Sequence, residues 1–156
     1  MAFYPASDDE RWMRAALREA EQAFAERETP VGAVVVHQGR IIGRGHNRVE
    51  HLQDPTAHAE ILAIGAAASA LGSWRLEDAV LYVTLEPCAM CAGAIVLSRL
   101  SRLVFGAFDP KSGACGSLMN LVQDARLNHQ VELVGGVLEA ECGDLLKVFF
   151  QEMRRK

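Results

Sequence analysis

Apolar residues return every three or four positions early in the chain, at Trp12, Met13, Ala16, Leu17, Ala20, Ala23 and Phe24, which predicts an amphipathic helix. Ser7 followed by Glu10 has the form of a capping box at its start. The helix should stop before Thr29-Pro30, because the residue preceding a proline is pushed away from helical geometry. The period then changes. Two β-branched runs, Val31 to His37 and Ile41 to His46, are joined by a short turn containing Gly39 and read as a hairpin. Asp54-Pro55 has the form of a helix start, followed by an alanine-rich segment to about Leu71, which places His58 and Glu60 in the opening turns of a helix. Val80 to Leu85 reads as a strand, Cys88 to Ser98 as a helix and Arg102 to Gly106 as a strand. A glycine-rich loop through Gly116 leads to a short helical turn expected around Ser117 to Val122. The chain then continues with a strand at Val131 to Val134 and a helix from about Leu138 to Met153, striped by Leu138, Cys142, Leu145, Leu146 and Phe149. Strands alternating with helices predict an α/β fold in which a central sheet is covered on both faces. No repeat or linker interrupts the chain, so residues 1–156 are expected to form a single domain.

Composition narrows the class without naming it. Of 156 residues, 50% are apolar and 23% charged, which is globular and not disordered composition. The start, MAFYPASDDERW, lacks the basic stretch and apolar core of a signal peptide, and no uncharged run approaches the ~20 residues needed to span a bilayer. A cytoplasmic protein with no membrane partner is expected. Sixteen basic and 20 acidic side chains leave a net charge of −4, which argues against broad, nonspecific affinity for nucleic acid. Local basic groups remain at Arg40, Arg44, His46 and Arg48, at Arg99 and Arg102, and at Arg154 to Lys156; each reads on its own as ordinary solvated surface.

The chemistry concentrates in a split cluster, His58-Ala59-Glu60 and Pro87-Cys88-Ala89-Met90-Cys91. His58, Cys88 and Cys91 are suited to hold Zn²⁺, and three protein ligands leave the fourth tetrahedral position open, as catalytic zinc sites do. Cys88 and Cys91 stand three apart on one helix face, near a helix start whose partial positive charge favours thiolate. Glu60 is not needed as a ligand and is the natural base beside the metal. Zinc lowers the pKa of a bound water from ~15.7 to ~7, so the cluster reads as a hydrolytic site suited to releasing ammonia from an amidine carbon such as C6 of adenine or C4 of cytosine. Cys115 and Cys142 have no such company and read as small buried hydrophobes.

Beyond these residues, the stretches PVGAVVV, DPTAHAEILA, LYVTLEPCAMCAGAI and FGAFDPKSGACGSLMNL resemble the bacterial tRNA-specific adenosine deaminases of the cytidine deaminase-like superfamily, from the first helix to near the last residue. The zinc motifs alone fit cytidine, cytosine or guanine deaminases as well, so a free-base or nucleoside deaminase is the alternative; the segment around GSLMNL and the loop at Asp109 and Lys111 narrow the resemblance to the tRNA enzymes. The resemblance implies a three-layer α/β/α sandwich around a central mixed five-stranded sheet, one zinc ion per subunit, a homodimer, and conversion of adenosine to inosine at wobble position 34 of a tRNA, chiefly the arginine tRNA with anticodon ACG. It implies His58, Cys88 and Cys91 as ligands, Glu60 as proton shuttle and Asn47 as a hydrogen-bonding partner of the purine. Asn47 serves equally well as a turn residue after the hairpin. Asp109, Lys111, Phe150 and Arg154 match segments that approach an anticodon stem-loop, although Gln151-Glu152 departs from the pattern by separating the aromatic pair from the basic residues.

Overall fold

The apolar runs along the chain become the middle of one sheet. A computed structural model of the protein describes residues 6–155. Its strands are β1 (Gly32–His37), β2 (Arg40–His46), β3 (Ala79–Leu85), β4 (Arg102–Ala107) and β5 (Glu132–Gly135), laid in the order β2-β1-β3-β4-β5. β1 is antiparallel to β2 and β3, whereas β3, β4 and β5 run parallel, so the five-stranded sheet is mixed as expected. Strands covered on both faces need apolar residues on both, and β1, β3 and β4 are buried along almost their whole length. The hairpin turn at Gln38-Gly39 has positive φ at both residues, 52° and 74°, a backbone whose twist suits a two-residue hairpin.

Helices α1 (Ala6–Ala25) and α5 (Glu139–Arg154) cover one face, α3 (Ala59–Leu71) and α4 (Ala89–Leu97) the other, and a short α2 (Val49–Leu52) follows the hairpin. Alternation along β3 feeds both cores: Val80 and Tyr82 pack with Met13, Ala16 and Cys142, while Leu81 and Val83 pack with Ala63, Ala67, Ala92 and Ile95. Helix α3 lies directly on β2 because Gly43 and Gly45 have no side chain there. A Cβ at Gly43 would strike the Ala63 carbonyl, and one at Gly45 the Ala59 carbonyl. That close seat fixes where the start of α3 stands.

Arg102 corrects its reading as a surface cation. Its guanidinium is buried and holds Asp9 of α1 through two hydrogen bonds of 2.7 and 2.9 Å; Asp9 also accepts the Tyr82 hydroxyl at 2.9 Å, and Glu132 lies 2.6 Å from the same guanidinium. A guanidinium can be buried when carboxylates face its fork of donors. The other basic groups are partly balanced as well, Arg44 lying 3.9 Å from Glu19 and Arg48 3.9 Å from Glu26.

Two expectations for helical segments change. Helix α3 begins at Ala59 and not at Asp54, because the Asp54 carboxylate is spent on a tight turn, accepting the Thr56 amide at 2.8 Å and hydroxyl at 2.7 Å. The turn expected around Ser117 to Val122 shrinks to one turn of 3₁₀ helix, Leu121–Gln123. Helix α2 is a single turn of four residues with no side-chain cap to mark it in the sequence. Ser7 lies inside α1, and its side chain is outside the described residues. No helix among the described residues is long and apolar enough to cross a membrane.

Candidate metal centre and active-site cleft

Two helix starts meet at the end of the sheet where β3 runs out. His58 is the residue capping α3, and Cys88, three residues beyond the end of β3, caps α4; both have extended backbones that turn their side chains out of the helical path. Cys91 follows in the first turn of α4, fully buried. His58 Nδ1 lies 3.6 Å from Cys88 Sγ and 3.5 Å from Cys91 Sγ. A tetrahedral ion with Zn–S about 2.3 Å and Zn–N about 2.0 Å separates its sulfur and nitrogen ligands by about 3.5 Å, so both distances fit the edges of such a site. Among the described residues these three form the one group of its kind with all ligand atoms within 4.8 Å of one another.

The electrostatics suit a cation. A hydrogen bond from Cys91, with His58 close by, holds the Cys88 thiol down to about 3, so that it stands as thiolate. Cys91 is pushed far up, by its hydrogen bond to that thiolate and by burial. His58 is raised, chiefly by its hydrogen bond with Cys88. Two sulfurs and one imidazole thus share protons that a metal would displace. Glu60 is 4% exposed, and burial pushes its carboxyl up to about 7, where it can both accept and return a proton near neutrality.

These groups stand in the wall of a cleft of about 700 Å³. His58, Glu60 and Cys88 line it, as do Asn47, Asp109 and Phe150. Asn47 is buried at the end of the hairpin, its amide bonded to the Val31 carbonyl at 3.1 Å. Asp109 accepts the amides of Lys111 and Ser112 at 3.1 and 3.2 Å and so shapes its own turn. Phe150 is half exposed at the rim, edge-on to buried Phe149 with ring centroids 5.4 Å apart. Lys111 and Arg154 are exposed and lie outside the cleft wall.

Two further buried carboxylates line the cleft, and sequence reasoning missed both. Glu28, three residues past the end of α1, is 1% exposed and accepts the amides of Glu50 and His51 at 3.1 and 2.8 Å and His51 Nδ1 at 2.7 Å, which ties α2 to the rim. Glu86 is 2% exposed and takes the amides of Asp109, Cys115 and Ser117. In each case burial pushes the carboxyl up, but the hydrogen bonds outweigh it and hold the group below its usual range. The available signal for Glu86 was an acidic residue directly before Pro87-Cys88; for Glu28, one directly before the Thr29-Pro30 stop.

Donors at two helix starts, an open ligand position and a buried carboxylate on an α/β/α sandwich are the equipment of a hydrolytic deaminase, and the comparisons agree. The family model of MafB19-like deaminases matches residues 7–154. The tRNA-specific adenosine deaminase of Bacillus subtilis is 58% identical over 150 residues, covering 96% of this chain and 93% of that protein. A solved structure from work on A-to-I editing by tRNA:A34 deaminases at the wobble position superposes with a TM-score of 0.83 at 46% identity, covering 86% of this chain and 98% of the other. A guanine deaminase from Nitrosomonas europaea is more distant, at TM-score 0.79 and 26% identity over 90% of this chain and 83% of that one. The class is therefore the cytidine deaminase-like enzymes. Within it, the chain belongs to the tRNA-specific adenosine deaminase family.

Proposed function

We propose that the protein hydrolyses adenosine to inosine at wobble position 34 of tRNA, with the arginine tRNA of anticodon ACG as its substrate. The observation that carries this reading is the pairing of the His58-Cys88-Cys91 triad with buried Glu60 inside an open cleft, on a chain 58% identical to a tRNA-specific adenosine deaminase. His58, Cys88 and Cys91 would hold one zinc ion per subunit. When bound, zinc supplies a Lewis acid that makes water acidic enough to attack near neutral pH.

Glu60 accepts the proton of the attacking water and returns it to the departing amino group, so water and adenosine become inosine and ammonia. Its burial keeps the carboxyl poised near the pH of the reaction. Asn47 hydrogen-bonds the purine and turns C6 toward the triad. Asp109 and Phe150 receive the nucleotides beside the target, with Lys111 and Arg154 further out against the backbone of the loop. A splayed anticodon loop costs less to enter than a duplex, and stacking on an aromatic rim suits unpaired bases. A homodimer would extend that rim across two copies, and a single-domain enzyme of this kind would act in the cytoplasm on tRNA.

The test is direct. Zinc-loaded protein given an ACG anticodon stem-loop should yield inosine and ammonia in equal amounts. No conversion by fully metallated protein overturns the reading. Turnover of guanine, cytosine or cytidine with none on the stem-loop would select a free-base or nucleoside deaminase.

A further inference from the structure

We propose that Glu86 is a positioning residue that latches the 109–117 loop at a fixed distance from the metal ligands, and so sets how the enzyme receives RNA beside the target base. The proposal rests on the tRNA reading above. Its basis is one buried carboxylate that satisfies four donors from a single loop. One oxygen, Oε1, accepts the Asp109 amide at 3.0 Å and the Ser117 hydroxyl; the other, Oε2, accepts the Cys115 amide at 3.1 Å and the Ser117 amide at 2.9 Å. Glycine is required at 113 by the same contact, since a Cβ there would run into the Glu86 carboxyl group. The neighbouring Pro87 carbonyl accepts the Ala114 amide at 2.8 Å. Residues 86 and 87 therefore hold the loop, and residue 88 is a metal ligand. Three consecutive positions tie loop and triad to one another.

The chemistry of the latch is specific to a carboxylate. Glutamine has one accepting oxygen: with its amide nitrogen at the Oε2 position the Cys115 and Ser117 amides both lose their acceptor, and at the Oε1 position the Ser117 hydroxyl can turn to accept but the Asp109 amide is left unsatisfied in a buried place. The Oε1 orientation leaves fewer donors unsatisfied, so Asp109, which lines the cleft, is the residue released. The triad itself makes no hydrogen bond to this carboxylate among those described.

The experiment compares zinc-loaded wild type with Glu86→Gln, Gly113→Ala and the double variant. It reads stem-loop Kd by fluorescence anisotropy, kcat and KM for inosine formation, zinc content, and hydrogen exchange over 109–117. Both single variants should weaken stem-loop binding and raise KM by about tenfold or more, leave kcat within about threefold, retain zinc and speed exchange in this loop. The double variant should add little to either, because both act through one displacement. Unchanged Kd and KM in variants that keep zinc overturn the proposal, whether or not the loop exchanges faster. Should Glu86→Gln fail to fold, Gly113→Ala and Ser117→Ala decide it by the same measures. A wild type that binds the stem-loop without converting it contradicts the proposed reaction instead, and Kd still judges the latch.

Discussion

The floor and the rim of the cleft are held by different means. The floor consists of His58, Glu60 and Cys88, with fully buried Cys91 beside them, placed by the first turns of two helices whose own packing on the sheet keeps them there. The rim consists of the turns after the hairpin and around Asp109, hung on Glu28 and Glu86 by hydrogen bonds that span 22 to 31 positions of the chain. Metal chemistry needs donors fixed to within tenths of an ångström, which helix starts supply. Substrate choice needs contacts that can differ while the chemistry stays the same, which loops supply.

Breaking the floor should cost the most. His58→Ala should lose the bound metal and at least about 10³-fold in turnover together, checked by zinc content and inosine formation; a variant that kept full activity without metal would erase the distinction. At the boundary of floor and rim, Asn47→Ala should retain zinc and lose about tenfold to a hundredfold in kcat/KM, the effect of one hydrogen bond to the reacting base. On the rim, Phe150→Ala should weaken stem-loop binding by about fivefold to tenfold with kcat little changed, as expected for one lost stacking contact. The smallest effect falls on stability. Glu28 titrates below its usual 4.5 in the folded protein because hydrogen bonds from His51 and Glu50 outweigh the cost of burial. Its contribution is therefore complete above about pH 4.5 and is lost as pH falls through the folded value. Glu28→Gln should lower the melting temperature by a few degrees at pH 7, and the gap from wild type should narrow on acidification below pH 4.5. A gap that widened instead would contradict the sign.

The same contrast explains what could be read in the sequence. Cys88 and Cys91 announce themselves because two candidate ligands and a helix start lie within three positions, and His58 because Glu60 stands two positions beyond it at another helix start. The sheet was legible because strands buried on both faces must be apolar throughout. Asp54 misled because an acidic residue before proline caps a turn as readily as a helix, and here its carboxylate went to Thr56. Arg102 misled because its partner Asp9 is 93 positions away. Glu28 and Glu86 offered only their places before Thr29-Pro30 and Pro87-Cys88, because the donors that mark a buried carboxylate lie 22 to 31 positions away.

Glu60→Ala tests the central claim most directly, with metal content, stem-loop affinity and rate measured on one preparation. The variant should keep about one zinc per chain and bind the stem-loop within about threefold of wild type. Its rate of inosine formation should fall by about 10²-fold to 10⁴-fold or more. An unchanged rate in a zinc-loaded variant would contradict the assignment of Glu60 as the group that moves the proton.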